Sequence, residues 1–460
     1  MNAPAATTDN GPEARLIAHA LGVRWEDLPQ SARDAAKALL LDTLAVGVAG
    51  RSEARAEAVM RLAQSWSGPA GECLLLGRPE TRLRAPYAAF VNAYQIHCQE
   101  FDCVHEPAVV HPMATICAAV LAESGRKPPV SGQQMLEAIV AGIEVATALG
   151  IAARGSLRFF RPATAGIFGC VAAIARLRAL SPETARCAMG HALAFTSGTM
   201  QAHGEGKPNL ALQVAAAARS AVEAADLAAA GFPAPDHALS GPFGFLSLLE
   251  SDTQIEPVLE QLGHKWQVEQ VSWKPFPTGR AAHGGIVAIQ TLMRDDGLTA
   301  EALESLVYRA PPIIARLVGR AASAEMPISH ARLCLPWLGA VTLARGSVGL
   351  GDFGDADRAD PALLALAARI SVETDGSDDW SAFAPGEAVA ITRDGKRLTA
   401  RIEQQFGSPD CPPSPEQFLA KVTAALRYGG WAKAAMPLLD LIDCFESEGD
   451  AHQSLCGVFA

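Results

Sequence analysis

The chain has 460 residues, of which 49% are hydrophobic and 19% charged, with a formal net charge of −11. That length buries a large core and divides naturally into two domains, and the balance excludes a disordered chain, which needs less hydrophobicity and more charge. The acidic surface also excludes non-specific nucleic-acid binding, which needs a basic face, while leaving small anionic substrates open because a local cationic pocket can sit in an acidic protein.

In chain order, the opening MNAPAATTDNGPEA is polar and lacks a basic start followed by an apolar core. It reads as a disordered tail and not a signal peptide. No uncharged apolar run approaches the length of a membrane span, so no membrane partner is expected. Helix then follows helix over residues 15 to 250. SARDAAKALLLDTLAVGVAG has Ser31 as an N-cap and Gly50 as a stop, and RLRAPYAAFVNAYQIHCQEF is the next helix. MATICAAVLAESG has Pro112 at its first turn, and SPETARCAMGHALAFTSG carries a Ser181-Pro182 start. NLALQVAAAARSAVEAADLAAAG ends at Gly231. Aromatics are only 6% and alanine is frequent, so these helices should approach one another closely.

Near residue 265 the pattern changes. QVEQVSWKPF and ESLVYRAP alternate like strands, and AVAITRDGKRLTARIEQ is a hairpin turning at Asp394-Gly395. Short helices such as HGGIVAIQTLMR and PALLALAARI lie between them, and PEQFLAKVTAALRYG restores the helical pattern. The expected class is mainly α: a large all-helical domain over 1–265, a smaller α+β lid domain over 266–405, and residues 406–460 packing back on the first. A cleft between two such domains is a common place for a small-molecule site.

The ten cysteines include no Cys-x-x-Cys pair, and most lie in apolar helical patterns, which suits small hydrophobes in a reducing cytoplasm. GLGDFG at 349–354 matches a dinucleotide-loop pattern but lacks the buried strand before it and the helix after it. EGK at 205–207 has Gln201 and Pro208 where a phosphate loop needs glycine and a hydroxyl. No nucleotide is expected.

HCQEFDCVHEPAVVHP, residues 97–112, concentrates reactive side chains. His97, Cys98, Cys103, His105 and His111 are zinc-ligand types, but no spacing forms a knuckle or a one-turn pair. A polar connection between two helices is an alternative. The catalytic reading is that an imidazole here moves a substrate proton while Glu100 or Asp102 orients it. WKPFPTGRAAHGG at 273–285 supplies Lys274, Arg280 and His283 beside glycines, a cradle for carboxylates, and GEGKPN adds Lys207.

These stretches, with LLLDTLAVGVAG, RPATAGIFGCVAA, GHALAFTSG, LAAAGFPAPDHALSGPFGF and HARLCLPWLGAVTLARGSVGL, resemble the MmgE/PrpD family over nearly the whole chain. That family includes 2-methylcitrate dehydratase, cis-aconitate decarboxylase and iminodisuccinate epimerase. The resemblance implies a helical domain with an α+β lid, a homodimer, no cofactor, and small di- or tricarboxylate substrates; the ligand spacing above already gives no metal. Its acidic run aligns with His97 to His105, placing Glu100 and Asp102 at acidic positions and Cys103 at another. Its following His-Pro matches His111, and its K-P-x-P stretch matches Lys274 to His283. Four positions depart: Phe160 replaces a histidine, Leu210 a lysine, Gly279 a histidine of some members, and Trp337 a tyrosine.

The expectation is a lyase of dehydratase or decarboxylase type, with epimerase or isomerase as the alternative and an inactive acid-binding homologue as a third reading. His111 is the expected acid or base, oriented by His105, Asp102 and Glu100, with His283 as a second proton carrier. Lys207, Lys274, Arg280 and Trp337 are expected to hold the substrate.

Overall fold

The computed structural model describes residues 10–126, 129–250, 252–379 and 382–459. Most of the stretch read as a disordered tail, residues 1–9, lies outside them. Among the described residues, eleven α-helices run from Pro12 to Ala229: α1 (Pro12–Gly22), α2 (Gln30–Gly50), α3 (Ala56–Ser67), α4 (Ala85–His97), α5 (Pro112–Arg126), α6 (Gly132–Ala152), α7 (Arg161–Thr164), α8 (Gly166–Leu177), α9 (Pro182–Phe195), α10 (Gln201–Gly204) and α11 (Asn209–Ala229).

Local chemistry sets most of their starts. The Ser181 side chain accepts from the Thr184 N–H and Pro182 opens α9, as the sequence indicated. Ser131 and Gln134 form a reciprocal capping box on α6. α2 is a correction, because it begins one residue before Ser31, behind Pro29, and the Ser31 hydroxyl reaches across to Glu269 instead of capping. Gly50 does more than stop that helix: a Cβ there would lie 1.8 Å from the Gln95 carbonyl oxygen, so glycine allows α2 to cross α4 closely.

Small side chains let the helices approach. Ala88 of α4, Ala118 of α5, Ala173 of α8 and Ala218 of α11 are all fully buried. α6 is long and apolar enough to cross a membrane by composition, yet 94% of its most apolar window is buried in the protein. It is a core helix.

The smaller α+β domain is built on a four-stranded sheet of β3 (Leu303–Ala310), β4 (Ile370–Thr374), β5 (Gly386–Thr392) and β6 (Arg397–Ile402), in the order β4-β3-β5-β6. A separate short ladder joins β1 (Cys73–Leu74) to β2 (Arg82–Leu83). β5 and β6 form the expected hairpin, with Gly395 at φ 83° in its turn. The helices His283–Asp295 and Leu335–Arg345 pack on this sheet.

Two expectations change here. PALLALAARI is not one helix: Pro361–Ala367 is helical, and Ile370 opens β4, buried opposite Leu306 in a parallel pair. QVEQVSWKPF is not a strand. Residues Gln267–Gln270 form a 3-10 turn pinned by the buried Glu144 carboxylate, which accepts from the Gln267 N–H at 2.6 Å, and Ser272 makes a single bridge to Val104. Trp273 and Lys274 are both buried although adjacent, which the two faces of a half-exposed strand do not allow.

Two hydrophobic clusters result. One gathers the α1–α11 helices together with Leu426, Leu438, Phe445 and Phe459 from the C-terminal part. The other gathers the sheet and its helices, including Ile289, Leu306, Leu338 and Ala388. The C-terminal helix Pro415–Tyr428 is tied to α2 by a buried ion pair, Lys421 Nζ to Asp42 Oδ1 at 2.7 Å.

Candidate active site

The residues between α4 and α5 form the floor of the site. His97 ends α4, and the chain then turns through Glu100 at φ 53°, a left-handed conformation that non-glycine residues seldom adopt. His105 and Val110 pair their backbones, closing a tight hairpin whose Val109 lies at φ 52°. For a β-branched residue that is a strained state, of a kind that clusters at functional sites. The hairpin seats against α6 at Gly150, where a Cβ would lie 2.6 Å from Ala108.

The buried Asp102 carboxylate joins two imidazoles. Its Oδ2 lies 3.0 Å from His97 Nδ1 and 3.0 Å from His111 Nδ1. Each Nδ1–H donates to the carboxylate, which leaves the Nε2 atoms free, that of His97 buried 3.7 Å from Glu100 Oε1. The rings meet edge to face, 4.8 Å apart. Burial alone would raise Asp102, but the charges and hydrogen bonds of His97 and His111 outweigh it and hold the carboxyl well below its ordinary value. Burial opposes charge on His97 too, yet Asp102 prevails and its pKa is raised. For His111 burial wins, helped by the Lys274 charge, and the pKa is lowered despite Asp102.

Glu100 and Lys274 are the next pair. Lys274 Nζ donates to the Glu100 carboxylate at 3.1 Å and to the Glu100 carbonyl at 3.0 Å. Burial works against the Glu100 charge, but Lys274 overrides it and brings the pKa to about 2. The positive φ of Glu100 is what turns its carbonyl and carboxylate toward the same ammonium.

A cavity of about 70 Å³ opens beside His111, with Glu100, Arg280, Phe160 and Leu210 in its wall. A recess of about 40 Å³ adjoins it through Glu100, Leu210 and Leu333, and is lined further by His97, Lys207 and Arg332. So His111, Glu100, Asp102, Lys274, Lys207 and Arg280 gather in one region, as does Phe160, whose ring is 5.8 Å from His97.

Three expected residues lie elsewhere. His105 points away from Asp102: its Nε2 meets Gln267 Oε1 at 3.0 Å, its Nδ1 accepts from the Ala108 N–H at 3.2 Å, and burial lowers its pKa to about 4. His105 opens the hairpin that closes at Val110, and from there its ring faces Gln267. His283 sits behind Arg280, with its Nδ1 3.3 Å from Arg280 Nη1, and does not line the cavity. Burial, with the Arg280 and Lys274 charges, holds it well below the usual imidazole value, hence neutral. Trp337 is fully buried in the sheet-domain core against Phe353, rings 5.5 Å apart, and its indole N–H meets no acceptor among the described residues. It reaches neither space. Arg280 lines the cavity, but its donors are engaged by Glu106 at 2.7 Å and by the Phe406 and Gln405 carbonyls.

Reading the sequence missed three residues. His97 stood in the histidine-rich run, separated from Asp102 by a turn that spacing alone does not reveal. Arg161, bound to Glu250 at 3.0 and 3.1 Å, lines the cavity from α7. His203 of α10 lines it as well, four residues before Lys207, with its ring against Arg320 Nη2 at 3.2 Å. Burial, followed by the Arg320 charge, lowers its pKa to about 4.

The ligand atoms of His97, Asp102 and His111 all lie within 4.8 Å of one another, the spacing a divalent cation would bridge. The hydrogen-bonded arrangement satisfies the same atoms without an ion. Of the five zinc-ligand types in this run, the structure turns His105 away from the other histidines.

Sequence comparison defines the class of protein to which this mainly α fold belongs. The profile of the MmgE/PrpD N-terminal domain matches residues 14–258, and that of the MmgE/PrpD C-terminal domain matches residues 276–445. The chain belongs to the MmgE/PrpD family. It is 27% identical over 373 residues to the cis-aconitate decarboxylase-like protein oryM of Aspergillus oryzae, covering 75% of this chain and 77% of that protein. It is 26% identical to human cis-aconitate decarboxylase over 437 residues, 89% of this chain and 88% of the relative. The mouse cis-aconitate decarboxylase is 27% identical over 409 residues, 84% and 81% of the two chains. At family level these relatives support lyase chemistry and give no support to an isomerase.

Proposed function

We propose that the protein is a cofactor-independent lyase of decarboxylase or dehydratase type, acting on a small di- or tricarboxylate by proton transfer at a carbon next to a carboxylate. The observation that carries this reading is the Asp102 carboxylate joining His97 and His111, with His111 opening into a cavity. Relatives named cis-aconitate decarboxylase support the same class.

In this reading His111, neutral near pH 7, takes or returns the substrate proton through Nε2, and Asp102 holds its tautomer and steadies the imidazolium that forms. Lys207 stabilises the negative charge that develops on the substrate carboxylate, and Lys274, which lines neither space, acts through Glu100 and through its charge on His111. His203 replaces His283 as the second proton carrier, because it faces the cavity. A decarboxylase needs a donor to protonate the carbanion left by CO₂, and a dehydratase needs a base for the carbon proton and an acid for the departing hydroxyl. His111 and His203, both held neutral near pH 7, can accept a proton, and His97, whose pKa is raised, is the imidazole suited to give one. A homodimer in the reducing cytoplasm belongs to the same proposal.

The test is proton NMR in D₂O with citrate-, aconitate-, malate- and aspartate-like acids, with and without a chelator. Deuterium entering next to a carboxylate, with loss of CO₂ or water, is the expected result. Tight binding with no exchange or turnover would identify an inactive acid-binding homologue, and activity lost to the chelator would make the His97–Asp102–His111 cluster a metal site.

Two variants check the roles. His111 acts as a base only when neutral, so the acid limb of kcat/KM falls below the ordinary imidazole value of 6.5. Lys274→Gln removes a positive charge that disfavours the imidazolium and frees the Glu100 charge that favours it. His111 therefore gains a proton at higher pH, and the limb moves up. An unmoved limb would remove Lys274 from the reading. His203→Gln lowers kcat by on the order of 10² if the ring carries a proton, and leaves kcat unchanged if it only fills space.

A further inference from the structure

The cavity beside His111 is walled largely by carbon, with Leu157, Met200, Leu317, Val318 and Phe383 joining Phe160. Leu157, Val318 and Phe383 come from the sheet-domain cluster and Phe160 from the helical one, so the space lies where the two clusters meet.

The charges at its edge are already matched. Glu100 is paired with Lys274 at 3.1 Å, Arg161 with Glu250 at 3.0 Å and Arg280 with Glu106 at 2.7 Å. Arg280 also donates to two backbone carbonyls, Phe406 at 2.7 Å and Gln405 at 3.3 Å. A carboxylate entering this space would lose its water and find each of these cations already neutralised, which is unfavourable. An alkyl group entering it gains from burial.

The adjoining recess has the opposite character. Arg332 is matched by Glu53 at 2.8 Å, but Lys207 is exposed and its ammonium makes no ion pair among the described residues. Arg55, also exposed, stands on the same recess. Unmatched positive charge is therefore found on one side of Glu100, and an apolar chamber on the other.

We propose that the substrate is a dicarboxylate bearing a short alkyl arm, with its carboxylates toward Lys207 and Arg55 and the arm in the cavity walled by Leu157, Met200, Leu317, Val318 and Phe383. This rests on the lyase reading for the reaction, but not for binding. Leu210 marks the boundary, since it lines both spaces.

The test is calorimetric binding of unreactive succinates that differ in one arm: succinate, methyl-, ethyl- and propylsuccinate, and propane-1,2,3-tricarboxylate, whose arm ends in a carboxylate. Affinity should rise about three- to fourfold per methylene, and propylsuccinate should bind at least about tenfold tighter than the tricarboxylate. Leu210→Lys, which adds a cation at the boundary, should narrow or reverse that preference. Equal or tighter binding of the tricarboxylate by the unmodified protein overturns the proposal, as does absence of binding across the series. Deuterium exchange on the same preparation separates the two claims. Exchange with tricarboxylate preference discards only the alkyl arm, whereas alkyl preference without exchange discards only the lyase.

Discussion

His111→Ala lowers kcat/KM by on the order of 10²–10⁴, the usual contribution of a positioned acid–base group, while the protein stays folded. The fold survives because Asp102 keeps its hydrogen bonds to His97, at 3.0 and 3.2 Å, and the His111 side chain is partly exposed to the cavity. Asp102→Asn should reduce turnover comparably by another route. Its amide retains the volume but loses the charge that steadies two imidazoliums, and its NH₂ group can donate where the carboxylate accepted, favouring the wrong ring tautomer. The two variants are compared by steady-state rates alongside circular dichroism and melting temperature. A His111→Ala protein with near-normal turnover would remove His111 from the chemistry. Lost turnover accompanied by lost helicity would instead place the residue in the structure.

Lys421→Met destabilises the protein by about 3–5 kcal/mol, the cost of leaving one member of a buried ion pair without its partner. Lys421 Nζ reaches Asp42 at 2.7 Å and the Phe101 carbonyl at 3.0 Å, and it lies 4.2 Å from the centre of the Phe101 ring. Asp42 also accepts from the Trp273 indole at 3.1 Å, and Trp273 adjoins Lys274 in the site. Burial already raises the Asp42 pKa against the pull of Lys421, and removing the ammonium raises it further. A folded-state pKa above the unfolded one means that the penalty is absent below the unfolded carboxylate value and grows as pH rises. Urea midpoints should therefore differ most from the unmodified protein near pH 8 and least near pH 4. Adding Asp42→Asn should restore much of the loss. A pH-independent deficit would show that lost packing, not an unpaired charge, is responsible.

Helix existence and type were legible from local pattern. Apolar periodicity marks most of the α1–α11 helices, and Ser181-Pro182 and Asp394-Gly395 specify their neighbours through side-chain and turn chemistry that acts within a few residues. Ser31 shows the limit of such reasoning. It has the right residue type for a cap, but Glu269, more than two hundred positions away, takes its hydroxyl. β4 was hidden for a related reason: Ile370 follows a helical segment without a break, and only pairing with β3 makes it a strand.

The site divides in the same way. The sequence by itself determined the family, the mainly α class with an α+β domain, and the concentration of histidines and carboxylates between α4 and α5. Which of those side chains face one another was decided by tertiary structure. Positive φ at Glu100 and Val109 reverses the chain so that His97 and His111 share Asp102, while His105, in the same short run, turns to Gln267. His203 joins the cavity from α10, and Trp337 is withdrawn into the sheet-domain core. Backbone reversals and the packing of distant helices set these directions, and neither residue identity nor spacing encodes them locally.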